Sequence, residues 1–119
     1  MANIDTSIEE LLNIQGARGA CIVDYTSGMS LGSGGSGVDL ELAAAGNSEV
    51  VKAKMNTMKS LGIKGNIGDI LITLDKQLHI ICPTSKHEQL FIYLVLDKEK
   101  ANLALARRKV KSIEEAVEI

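Results

Sequence analysis

The chain has 119 residues, 45% of them hydrophobic and 24% charged, with a net charge of −2, no Trp, one Phe and two Tyr. That length predicts one domain spanning residues 1–119, with a core built from Ile, Leu, Val, Met and Ala. The slight acidity and scarcity of aromatics argue against nucleic acid as the partner, and no run approaches the roughly 18–20 apolar residues of a membrane span.

Thr6-Ser7-Ile8-Glu9 fits a capping box, with Thr6 as N-cap, and Ile4, Ile8, Leu11 and Leu12 fall on one side of a first helix that Gly16 stops. No basic start followed by an apolar run precedes it, so no targeting segment is expected and the compartment is read as cytoplasmic. Gly19 to Tyr25 predicts a strand. Asp24-Tyr25-Thr26-Ser27-Gly28 is turn chemistry, and Met29-Ser30-Leu31 is a short return strand. Gly32-Ser33-Gly34-Gly35-Ser36-Gly37 then spells GxGxxG. Its context is wrong for a dinucleotide site: a short hairpin strand precedes it, and no acid follows at the end of a next strand. It also lacks the Lys-Ser/Thr ending of a P-loop. A flexible connection is expected, and no cofactor.

Asp39 caps a long second helix that ends near Leu61, with Gly62 as its stop. Leu40, Ala44, Asn47, Val51, Met55, Met58 and Leu61 recur at steps of three or four, as in a helix–helix seam. Asn47 reads either as a register-fixing polar residue in that seam or as a solvated residue beside Gly46. Three strands follow: Ile67 to Leu74, Gln77 to Pro83, and Leu90 to Leu96. The last carries no charge and almost no alternation, so both its faces need cover, which makes it the central strand. After Asp97 a third helix repeats Leu103, Ala106, Val110, Ile113 and Val117, with Arg107, Arg108, Lys109 and Lys111 on its remaining surface. The fold class is α/β, in the order α-β-β-α-β-β-β-α. A single five-stranded, mostly antiparallel sheet is sandwiched by two helices on one face and one on the other.

Cys21 and Cys82 sit in strand-like runs without a close Cys or His partner, and read as buried, reduced thiols rather than a metal pair. His79 in a strand and His87 in a loop have no second ligand or nucleophile beside them, so neither metal nor catalysis is expected. Arg18 reads as a solvated loop residue rather than a finger for phosphoryl transfer. The Arg107–Lys111 face reads as solvated helix surface rather than a dock for an acidic partner.

The stretch Gly16-Ala17-Arg18-Gly19-Ala20-Cys21-Ile22-Val23-Asp24-Tyr25-Thr26-Ser27-Gly28-Met29 resembles the opening of the Roadblock family of dynein light chains and bacterial or archaeal GTPase regulators. The long second helix and the three-strand block extend the resemblance over essentially the whole chain. It implies a profilin-like sandwich that is not an enzyme and works as a homodimer. In the family, the first strand of the three-strand block lies at the sheet edge and pairs with its copy, and the second helices pack together. Here that maps to Ile67, Ile70, Leu71, Ile72 and Leu74, and to Ala44, Asn47, Val51, Met55 and Met58. The expected partner is a small Ras-like GTPase, with Glu41, Glu49, Lys52, Lys54 and Lys59 as candidate contacts. The alternative is a dimeric scaffold, indifferent to nucleotide, that joins larger proteins. A sensor domain holding a small molecule is disfavoured by the lack of convergent polar residues.

Overall fold

Leu90–Asp97 (β5) is the middle strand of a five-stranded sheet, and every residue from Leu90 to Leu96 is buried. In the computed structural model, which describes residues 3–118, the strands are β1 (Ala17–Asp24), β2 (Met29–Gly35), β3 (Ile70–Thr73), β4 (Gln77–Pro83) and β5. They lie in the order β2-β1-β5-β4-β3, every neighbouring pair antiparallel. A strand without polar positions is stable only where helices cover both of its faces, and β5 has that place.

One face of the sheet carries Ala20, Ile22, Ile80, Ile92 and Leu94. It is covered by α1 (Ile4–Leu12) through Ile8 and Leu11, and by α3 (Leu103–Ala116) through Ala106, Val110 and Ile113. The other face carries Cys21, Val23, Phe91, Tyr93 and Val95, under Ala44 and Val51 of α2 (Leu40–Ser60). Fully burying each such aliphatic or aromatic side chain contributes about 1.5–3 kcal/mol. The expected two-plus-one arrangement of helices is what forms.

Helix ends follow cap chemistry. Asp39 accepts from the Leu42 N–H at 3.1 Å, and Gly62, at φ 70°, follows the Leu61 C-cap as expected. Helix α1 starts earlier than its sequence suggested: Asn3 is the N-cap and accepts from the Thr6 N–H at 2.8 Å, so Thr6 is already helical. Asn and Thr are both good caps, and the earlier one brings Ile4 onto the sheet. The third helix starts later than expected, because Lys98–Lys100 form a turn and Asn102 is its cap.

The glycine run departs most from expectation. Gly32 to Gly35 are not a flexible connection but the second half of β2, paired with Gly19 to Ile22. Helix α1 explains the absence of side chains. A Cβ on Gly34 would meet Leu12 Cδ1 at 2.8 Å, and one on Gly32 would overlap Ile4 Cγ2. Glycine here lets α1 approach the backbone of the strand.

Candidate functional site

Strand β3 is an edge: it pairs with β4, and among the described residues its outer backbone groups meet no other strand. It is shorter than the sequence indicated, since Ile67 precedes it and Leu74 belongs to the tight turn, where its N–H bonds the Gln77 carbonyl at 2.9 Å. Leu71 is 37% and Leu74 43% exposed, while Ile70 and Ile72 are half-buried beside the α2-side core. Asp69 would be the natural charge to guard such an edge. It is committed elsewhere. Arg107 of α3 binds it through Nε at 2.7 Å and Nη2 at 2.9 Å, a two-pronged ion pair across the sheet's helical side. The hydrogen bond to Asp69 holds the guanidinium pKa above its ordinary value.

Helix α2 turns part of the expected seam inward. Ala44 and Val51 are 1% and 0% exposed and belong to the core beneath their own helix, while Asn47, Met55 and Met58 are half-buried. Ala44 and Val51 therefore have no surface left for a contact between copies. The apolar stripe covers the protomer's own sheet, and one stripe can be used only once. The opposite face carries Leu42, Gly46, Val50, Ala53, Thr57 and Leu61, at helical steps of three and four. Leu42 is 70% and Leu61 66% exposed, and a Cβ on Gly46 would meet nothing within 4 Å. These residues carry no charge. They were legible as a second repeat, but a faint one, because small residues give a weak periodic signal.

The charged candidates on α2 border that face. Glu49 pairs with Lys52 at 3.5 Å, and Glu41, Lys54 and Lys59 are exposed. On α3, Arg107 is taken by Asp69, and Lys111 lies 2.9 Å from Oε2 of Glu114. That leaves Arg108 and Lys109 as the cations of that cluster without an ion pair among the described residues. Arg18 is a residue of β1 rather than of a loop, half-exposed and 3.7 Å from Asp97.

Two polar knots stabilise the ends of the sheet. On the α2 side, the Tyr93 hydroxyl donates to His79 Nδ1 at 3.0 Å, which leaves Nε2–H to donate to Gln77 Oε1 at 2.9 Å. Burial holds the imidazole pKa below 6.5 and pushes the phenol above 10. On the other side, buried Glu114 accepts from the N–H and hydroxyl of Ser85 at 2.5 and 2.6 Å. Cys21 and Cys82 lie on opposite faces of the sheet, and burial pushes their thiols up to about 12 and about 11. Thiols held protonated in this way are poor nucleophiles.

No known family model and no curated protein matches the sequence. Solved structures do. The Roadblock/LC7 domain from Streptomyces avermitilis superposes with a TM-score of 0.82 at 14% identity, over 97% of this chain and 94% of that one. This chain has the Roadblock/LC7 fold. MglB from Myxococcus xanthus superposes with a TM-score of 0.82 at 18% identity, over 94% and 89% of the two chains. The gliding protein MglB from Thermus thermophilus follows at 0.80 and 22%, over 92% and 82%. In the Roadblock/LC7 frame of this chain, the β3 edge and the uncharged outer face of α2 are both exposed among the described residues.

Proposed function

We propose that this chain is a cytoplasmic, non-catalytic homodimer that binds a small Ras-like GTPase and modulates its nucleotide state or its location. One observation carries the reading: β3 is an exposed edge whose nearest acid, Asp69, is drawn away by Arg107. An edge without charge, bulge or cover is a template for another strand, and a second copy of the same strand satisfies it by two-fold symmetry. The uncharged outer face of α2 supplies the second contact. The resemblance to Roadblock GTPase regulators motivates the choice of partner. An MglB with a tetrameric arrangement, at a TM-score of 0.80, supports self-association in this reading.

In this reading the dimer does no chemistry. It binds one nucleotide state of the GTPase better than the other and shifts the switch by that difference in affinity. Glu41, Glu49, Lys52, Lys54 and Lys59, beside the outer face of α2, are the proposed contacts. Capture from native lysate on immobilised protein, once with GDP and once with a non-hydrolysable GTP analogue, tests the proposal. A Ras-like GTPase retained with one nucleotide only is the expected result. The same partners under both conditions, with no GTPase among them, would establish the scaffold instead.

A further inference from the structure

Between the last turns of α2, the segment that follows it and the turn after β4 lies an open crevice of about 740 Å³. Its apolar lining includes half-buried Met55 and Met58 and exposed Ile63, and its cations are Lys59, Lys64 and Lys111. Glu88 is the one carboxylate on its wall, and Lys111 is partly neutralised by Glu114. The crevice is thus locally basic in a chain whose net charge is −2.

Its backbone is the second, independent feature. From Lys64 to Asp69 no residue makes a backbone–backbone hydrogen bond among the described residues, although the chain is flanked by the end of α2 and by β3. The Gly68 carbonyl accepts from the Cys82 thiol at 3.5 Å, and a thiol is a weak donor. Main-chain N–H and C=O groups left without backbone partners along a groove of mixed apolar and basic walls are the element that an added extended segment uses for affinity. Side-chain pockets and flanking charges then give its specificity.

We propose that this crevice docks an extended acidic segment of a partner protein. Its backbone would pair with residues 66–68, beyond the bend at Gly65 (φ 107°), an apolar side chain would pack on Met55 and Met58, and its carboxylates would face Lys59 and Lys64. The crevice lies beyond the outer face of α2 and shares only Lys59 with the proposed GTPase contacts.

Fluorescence anisotropy with two labelled decapeptides tests it, one alternating Asp with Leu and one alternating Lys with Leu. The Asp–Leu peptide is expected to bind about tenfold or more tightly than the Lys–Leu peptide, more weakly as salt rises. The exposed pair K59E/K64E should fold normally and reverse that preference. Sedimentation of the same variant should give the wild-type mass. No preference between the peptides, or a preference untouched by K59E/K64E, would overturn the proposal. So would a changed mass, because the crevice would then belong to a contact between copies. Nucleotide-dependent capture by Lys64→Glu alone, which leaves every proposed GTPase contact in place, reports separately on the GTPase reading.

Discussion

Arg107 and Asp69 are 38 positions apart in sequence, and their side chains meet in a two-pronged ion pair. The pair ties α3 to the start of β3 and removes the acid that would otherwise protect the sheet edge. Stability here is modest, because exposed ion pairs contribute little. In the proposed dimer the consequence for assembly is larger, since the edge is left both ordered and unguarded.

If β3 pairs with its copy, a charge on its exposed position should block the pairing. Leu71→Lys is expected to halve the mass found by sedimentation velocity while leaving the fold intact. Leu71 is the better probe than Ile70 or Ile72, which also pack into the protomer's own core. An unchanged mass would refute the edge assignment.

Gly46 lies mid-helix on the outer face of α2 with open space around it. Gly46→Ala should stabilise the protomer by about 0.5–1 kcal/mol through helix propensity alone, measured by urea unfolding at low protein concentration. If two outer faces pack closely, Gly46→Leu should keep that stability yet weaken self-association. Equal association of both variants would separate α2 from the interface.

Gly35 has φ +101°, and a Cβ there would overlap the Arg18 carbonyl oxygen. Backbone cannot move aside as a flexible side chain can. Gly35→Ala is expected to cost about 1–3 kcal/mol in chemical unfolding. Gly34→Ala should cost less, because it meets only the side-chain ends of Leu12 and Ile8.

Burial alone would raise the Glu114 pKa, but the Ser85 hydroxyl and N–H, with Lys111, outweigh it and hold the carboxyl below 4.5. The unfolded chain therefore takes up the proton first as pH falls. The contribution is present in full above 4.5 and is lost as pH falls through the folded value. Glu114→Ala, which removes two hydrogen bonds to a charged carboxylate, should cost about 1–3 kcal/mol at neutral pH and flatten the acid limb of the stability profile.

His79 titrates with the same sign for a different reason. Burial depresses its pKa below 6.5, so near that pH the unfolded state binds more protons than the folded one. Thermal stability should fall as pH drops below about 6.5, toward the folded value. His79→Gln should show a shallower slope over that range. An identical slope would place the effect on other groups.

Much of the fold was legible because its signals are local. The uncharged run of β5 demanded a central place, Asp39 and Gly62 marked the ends of α2, and the 3-4 repeat of α3 named the residues it buries. The glycine run was misread for a non-local reason. Gly32 and Gly34 are small to make room for Ile4 and Leu12 of α1, and glycine carries no strand propensity of its own to announce β2. The burial of Ala44 and Val51 in the chain's own core was hidden for a similar reason. Periodicity locates an apolar stripe but does not say whether the stripe meets its own sheet or another chain.

Composition and pattern were thus enough for the order of elements, the central strand and the two-plus-one cover of helices, since each follows from which residues must leave water; the edge place of β3 came from the resemblance to the Roadblock family. The tertiary structure alone decided the orientation of α2, the pairing of Asp69 with Arg107, and the capture of Ser85 by Glu114 from 29 residues away. Those depend on distances between segments remote in sequence. A charged or small side chain is at home in water or in a pair, and only the packed chain selects between them.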